Sequence, residues 1–400
     1  MKPVQPSDRA EFGSAEFGGA EIASAELTKW QLRAPRSAAA ALALLLVPAA
    51  CSTDTKTTTT TTTTAASATT TTTAAGDTST TTTAAATSAT DATPAIVAAA
   101  NAFLASLTDA EKKSVQFEFT NTAQRQKWSN LPQGLYDRSG VRWGDIDEDS
   151  QQAWLAVMKA ILSDAGYEQV LGEWGADDKL GGGNYGKDNY WVAIIGEPSE
   201  TTAWQFQFGG HHVTVNATIK GADVSVTPSF IGVQPSLYDS NGNKIRPLGT
   251  IEDDAYALVG ALDATQAKKA VLGGTLIDLV VGPGQDGKTV ENQGIAGSDL
   301  TDAQKKLLLS LISHYGGLVN AEDSTARMEK LTAELDSTYF AWYGPTDVND
   351  NSGIYFRVSG PSIVIEYSGQ EMGGDPTDHI HGIYRDPTND YGEAFGAGLS

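Results

Sequence analysis

Trp204-Gln-Phe-Gln-Phe-Gly-Gly-His-His-Val-Thr-Val-Asn216 carries the densest structural signal in this chain. Trp204, Phe206 and Phe208 share one parity; Val213, Val215 and Ala217 share the other. Side chains alternate along a strand, so each run presents one apolar face. The apolar parity switches across Gly209-Gly210, and a bulge or sharp bend at the glycines accounts for the switch. Such a bend re-aims the next two side chains, His211 and His212.

A second region has the same look. Ile195-Gly-Glu-Pro198 precedes the first stretch, and Tyr343-Gly-Pro345 precedes Ile354-Tyr-Phe-Arg-Val-Ser-Gly-Pro-Ser-Ile-Val-Ile-Glu366. Aligning Gly210 with Gly360 sets His212 opposite Ser362 and Asn216 opposite Glu366. Strands are therefore expected at 190–195, 204–219, 339–343 and 354–367. Helices fill the intervals. Pro94 suits the first position of a helix capped by Thr93, with Ile96, Val97, Ala100, Phe103, Leu104 and Leu107 on one face. Leu107-Thr-Asp-Ala-Glu, Leu262-Asp-Ala-Thr-Gln and Leu300-Thr-Asp-Ala-Gln each place a cap residue three positions before Glu or Gln, as a capping box requires. A further helix is expected from Ser150 to Ala165, burying Trp154, Val157, Met158, Ile161 and Leu162. The order helices, strands, helices, strands predicts an α+β fold, with antiparallel sheet(s) built from two similar hairpin-like units and flanked by helices. Residues 94–400 read as a single folded domain with two related halves.

The net charge is −22. Residues 1–50 contain Lys2, Arg9, Lys29, Arg33 and Arg36 against Asp8, Glu11, Glu16, Glu21 and Glu26, so they cancel. The rest of the chain carries the whole negative charge. Such a field repels phosphate backbones, which argues against nucleic acid as a partner. The lone cysteine, Cys51, excludes an intrachain disulfide and any Cys-rich zinc site.

Lys29, Arg33 and Arg36 form a basic stretch before the Ala/Leu run from Ser37 to Val47, and Ala49-Ala50-Cys51 follows. The run is too short to span a bilayer. It resembles a bacterial lipoprotein signal, although Pro48 holds the place where Leu or Val is usual. Residues 1–50 are read as leader and signal peptide, and 51–93 as an acylated Cys51 with a Thr-rich tether. Ser52 to Thr93 has little apolar surface beyond alanine methyls and cannot offset its ordering entropy. A chain of that length spans roughly 35 Å. The expected location is the cell envelope, lipid-anchored through the bilayer, or secreted if the signal is simply cleaved.

Four of the five histidines form two close pairs, His211-His212 and His379-Ile380-His381. A His-x-His on a strand aims both imidazoles at one face. One more nitrogen from His211 or His212 makes a three-His site with an open position, suited to a divalent metal such as Zn or Cu. Glu366 is the candidate ligand or general base. Arg385 is the candidate grip for a carboxylate, and Asp386 and Asp390 are candidate acceptors orienting an imidazole. Imidazole must be neutral to bind metal, so binding is expected to weaken below about pH 6. Metal-free polar pockets and purely structural histidines are the competing readings. His314, near a helix end before Gly316-Gly317, reads as structural. Two other motifs fail. Gly181-Gly-Gly-Asn-Tyr-Gly-Lys-Asp188 lacks the Ser/Thr of a P-loop, and Asp347-Val-Asn-Asp-Asn351 lacks the glycine and final Glu of an EF-hand.

Trp204 … Gly210-His-His212, with Ile365-Glu-Tyr367 … His379-Ile-His381 … Arg385-Asp386 … Asp390-Tyr-Gly392, resembles the domain of unknown function 3500 family over most of residues 100–392. The resemblance implies that both His pairs and Glu366 form one site. It also implies a further helix with another His after the Asp-aromatic-Gly step, and Ala394 to Ser400 supplies no such His. Two functions are therefore expected. The first is a surface-tethered metalloprotein of hydrolase type, in which His379, His381 and one of His211/His212 hold the ion. The second is a non-catalytic module, in which Trp204, Trp342, Tyr343 and the His groups line a recognition groove for a glycan or peptide, or another small molecule.

Overall fold

The structure is a computed structural model that describes residues 92–372 and 374–399. The expectations for the leader, the signal, Cys51 and the tether lie outside the described residues, apart from the tether's last two positions. No described helix is long and apolar enough to cross a membrane.

The first helix, α1 (Thr93–Ser106), begins one residue earlier than expected and is preceded by Ala92. Pro94 occupies the first turn, where a missing N–H costs nothing. Thr93 therefore does not cap the helix; its hydroxyl donates to Gly221 O at 2.8 Å. Ile96, Val97, Ala100 and Phe103 are buried. All three capping boxes form. They start α2 (Asp109–Val115) at Thr108/Glu111, α7 (Ala264–Ala270) at Asp263/Gln266 and α8 (Asp302–Gly316) at Thr301/Gln304. Each cap contributes about 1 kcal/mol.

The helix expected over 150–165 is two helices. The first, α4 (Glu148–Ile161), stops before an extended Leu162. Ser163 then caps α5 (Asp164–Leu180) by accepting from Gly166 N. Between α2 and α4 lie β1 (Gln116–Phe117), α3 (Thr122–Arg125) and β2 (Val141–Arg142). After α5 come β3 (Trp191–Ile195), β4 (Trp204–Gly209), β5 (Val213–Lys220), β6 (Asp223–Ser225) and β7 (Ser229–Val233). The short pair β8 (Tyr238–Ser240) and β9 (Asn243–Ile245) forms its own ribbon. The chain continues through α6 (Gly249–Gly260), α7, β10 (Val271–Gly273), β11 (Ile295–Ala296), α8 and α9 (Ala321–Ala333). It ends in β12 (Tyr339–Tyr343), β13 (Tyr355–Gly360), β14 (Ile363–Gly369) and β15 (Ile380–Arg385).

One large sheet runs β1-β3-β4-β5-β7-β15-β14-β13-β12-β10, with β2, β6 and β11 paired at its flanks. Only β1–β3 and β10–β12 are parallel. The protein is thus a mixed α/β structure on a mostly antiparallel sheet.

The parity switch at Gly209-Gly210 comes from the sharp bend, not from a bulge. The chain reverses there. Gly209 pairs with Thr214, and Gly210 N donates to Val213 O at 2.9 Å, which leaves His211 and His212 as the two corner residues of a hairpin. Phe208 faces Val215 and Phe206 faces Ala217, so the apolar parity changes with direction.

The two faces of the sheet differ. One face is apolar and packs under helices. Trp154 stacks on Phe206 with centroids 4.2 Å apart, Trp174 meets Phe208 edge-on at 5.0 Å, and Tyr256 meets Trp342 at 5.1 Å. Each such buried ring contributes about 1.5–3 kcal/mol, which makes this layer the main source of stability. Trp204 and Trp342 are fully buried in it, so they do not line a recognition groove. The opposite face carries Gln205, Gln207, Asn216, Glu366 and Arg385, all buried. Coil and short helix close over it, as when Gln124 donates to Gln207 at 3.2 Å and Arg385 Nε to Val281 O at 2.8 Å. Net hydrogen-bond contributions of about 1 kcal/mol cannot rival the aromatic layer, but unmade bonds there are expensive, so this face fixes geometry.

Candidate metal centre

The hairpin corner between β4 and β5 meets the start of β15. His212 Nε2 lies 3.1 Å from His379 Nε2, and His379 Nε2 lies 3.0 Å from His381 Nε2. The His-x-His pair is aimed to one side because His379 stands just before β15 and His381, two residues on, is the second residue of that strand. His212 is fully buried, His379 is 5% exposed and His211 is 8% exposed. These three residues, His212, His379 and His381, could hold a metal ion through one atom each.

The other ring nitrogens define the tautomers. His379 Nδ1 lies 2.6 Å from Met372 O, and a carbonyl only accepts, so Nδ1 carries the proton. His212 Nδ1 lies 3.2 Å from Asp177 Oδ1. Burial pushes the Asp177 carboxyl up, but hydrogen bonds and charge from His211 and His212 outweigh it and hold the group down at about 2. The carboxylate is ionised and accepts, so His212 Nδ1 also carries its proton. Both Nε2 atoms are consequently bare lone pairs 3.1 Å apart. They repel unless a cation sits between them. A proton is the weaker candidate. Burial lowers His212 to about 3, aided by the neighbouring His211, and it lowers His379 and, more strongly, His381. A metal ion fits the same space: bonds of 2.0–2.1 Å in a tetrahedral array separate nitrogens by about 3.3 Å.

Asp177 and its helix were not anticipated. Asp177 is fully buried on α5 and also holds His211 Nδ1 at 3.0 Å, while Gly186 N donates to its Oδ2 at 3.2 Å. Asp177, His211 and His212 make a second group whose ligand atoms converge. The ring of His211 lies 3.6 Å from that of His212, and Tyr190 Oη accepts from His212 N.

The other expected site residues are engaged with other partners. Glu366 accepts from Val280 N, Val281 N and Tyr355 Oη at 2.6–3.0 Å, and it is not in either converging group. Its carboxylate is taken up by these donors, while the strand register sets it on the same sheet face as His381, whose partner Ser368 is two residues on. Arg385 does grip carboxylates, but they are the chain's own: Asp286 at 3.0 Å and Asp390 at 2.9 Å. Asp386 pairs with Arg327 at 2.7 Å, and Asp390 accepts from Asp386 N. Neither orients an imidazole; Asp177 does. His314 pairs with Asp254 at 2.8 Å, away from the cluster, as a structural residue would.

Fold and site together define a mixed α/β protein with a buried imidazole cluster able to coordinate a metal ion. The chain belongs to the family described as Protein of unknown function (DUF3500), whose model matches residues 89–393. No curated protein and no solved structure matches it.

Proposed function

We propose that the protein is a metal-dependent hydrolase whose ion, Zn or Cu, is held by His212, His379 and His381. The observation that carries this reading is the 3.1 Å contact between two Nε2 atoms whose rings are both protonated at Nδ1. Bound in a three-nitrogen site with an open position, such an ion supplies Lewis acidity and lowers the pKa of water. Asp177 fixes the orientation of His212. His211, bonded to the same carboxylate through Nδ1, keeps Nε2 free to accept a proton. The role given earlier to Glu366 passes to His211. A binding module that uses the same metal for recognition is the second reading.

The test is elemental analysis of the purified full chain. One equivalent of metal, lost in the His379→Ala/His381→Ala variant with folding intact, supports the proposal. A metal-free wild-type chain that remains folded overturns it.

The sheet order also supports a reading of the domain as two related halves. Strands β3-β4-β5-β7 run inward from one edge, and β12-β13-β14-β15 run inward from the other, meeting at β7–β15. His212 belongs to the first set and His379/His381 to the second, so on this reading the metal sits at the seam. Export and anchoring through Cys51 rest on the signal-like sequence alone. Radiolabelled palmitate incorporated by the native chain and absent from Cys51→Ser checks the anchor.

A further inference from the structure

The imidazoles are nearly sealed. His212 is fully buried, and His211 and His379 are 8% and 5% exposed, so whatever reaches them needs a way in. Three coil segments among the described residues touch the cluster. Met372 O accepts from His379 Nδ1 at 2.6 Å, so the loop before His379 fixes that ring's tautomer. The coil around 127–139 places Asn130 Nδ2 3.5 Å from His381 Nδ1, and Arg138 ties that coil down by donating to the carbonyls of Ser129, Leu131 and Gly210. The third segment is Gly181-Gly-Gly-Asn-Tyr-Gly186, the stretch that fails as a P-loop. It sets the Tyr185 ring 4.9 Å from the His211 ring, tilted by 49°.

Of the three, only this segment can leave without giving up a contact to His212, His379 or His381. Its two ends suit hinges. Gly181 closes α5 at φ 68°, and Gly186 has φ 91°, both in the left-handed region that glycine enters freely. Residues 181–184 are exposed, and a Cβ at Gly181, Gly182 or Gly183 would meet nothing within 4 Å. The loop therefore packs against the protein mainly through the half-buried Tyr185, and segments with so few buried contacts open at low cost. A few polar bonds latch it. Buried Asn189 donates through Nδ2 to Gly183 O at 3.1 Å and to Tyr185 O at 2.6 Å, and Gln133 N donates to Asn184 O at 3.1 Å. At the second hinge, Gly186 N donates to Oδ2 of Asp177, whose Oδ1 holds His211 and His212. The closed loop thus covers the cluster and braces the carboxylate that orients it.

We propose that Gly181–Gly186 is a flap that gates the imidazole cluster, with Tyr185 lifting off His211 to admit a ligand. On the reading of the imidazoles as a metal centre, on which this second step rests, what passes is a divalent cation, and the flap sets how fast it enters and leaves.

The experiment compares the full native chain with Tyr185→Ala and Tyr185→Phe in two assays. In the metal-free chain, diethyl pyrocarbonate modifies imidazoles, and peptide mapping follows the rate at His211. A rate roughly tenfold or more higher in Tyr185→Ala, and native in Tyr185→Phe, which keeps the ring, supports the flap. In the zinc-loaded chain, excess chromophoric chelator reads the release rate and competition reads Kd. Release and uptake should both quicken in Tyr185→Ala while Kd holds, because a gate alters rates and leaves the equilibrium in place. An unchanged His211 rate overturns the proposal. So does zinc release that quickens only as Kd weakens, with uptake unchanged, because the ring then supports the site instead of guarding it. A native chain that takes up no zinc, with His211 still unmasked by Tyr185→Ala, supports the flap and removes the metal reading alone.

Discussion

Asp177 Oδ1 lies 3.2 Å from His212 Nδ1, and this contact sets the tautomer on which the metal reading depends. Asp177→Asn keeps the shape but removes the charge and leaves an amide that can present a donor instead. Metal affinity should fall by roughly 10–100-fold. Competition with a chromophoric chelator measures it. An unchanged affinity would show that His212 is oriented by something else.

Metal that binds only the folded chain stabilises it by mass action. At a free concentration one hundred times Kd the gain is about 2.7 kcal/mol. Chelation should therefore lower Tm by several degrees in the native chain and leave His379→Ala/His381→Ala unmoved. Differential scanning calorimetry with and without chelator reads both.

Acid should act through the same imidazoles, with a definite sign. Burial lowers His212 to about 3 and lowers His379 and His381 as well, whereas in the unfolded chain they titrate near the ordinary value of about 6.5. The unfolded state then binds more protons between those limits, so stability is full above pH 6.5 and declines as pH falls below it. The slope is about 1.4 kcal/mol per pH unit for each imidazole that stays neutral. Asp177, held at about 2, adds a loss at still lower pH. Metal should remain bound at pH 5, below the limit of about 6 expected for ordinary imidazoles. Urea midpoints and metal content measured from pH 7 to 4 test both statements.

Glu366→Gln should separate structure from catalysis. The carboxylate accepts from two backbone N–H groups and the Tyr355 hydroxyl, and an amide cannot accept them all. The loss should be about 1–3 kcal/mol or more in urea unfolding, with one metal per chain retained. A variant of native stability that had lost only turnover would return Glu366 to the reaction.

Much of this architecture is legible in local chemistry. Capping boxes announce three helices because a box is a short, self-contained set of bonds. Strand parity exposes the apolar face, and the His-x-His spacing fixes which imidazoles share a side. The partner of those imidazoles is not legible, and the reason is α5. Its Gly166, Gly172 and Gly175 weaken helix propensity, yet tertiary contact demands them. A Cβ at Gly166 would lie 2.6 Å from Leu318 O, and one at Gly175 would lie 2.6 Å from Tyr238 Oη. A helix chosen for close approach hides from propensity, and Asp177 hides with it. Ser163 as a cap was the available clue. Arg385, Asp386 and Asp390 misled because charges near a histidine in sequence resemble charges near it in space.

The β15 strand supplies two of the three imidazoles and docks at the middle of the sheet, between β7 and β14. Translation reaches it only after some 380 residues, so no nascent intermediate contains the complete coordination set. On the metal reading, ion loading would accordingly be a terminal event of maturation. The compartment in which the last strand settles, through whatever ions it keeps available there, would then decide which element the site takes.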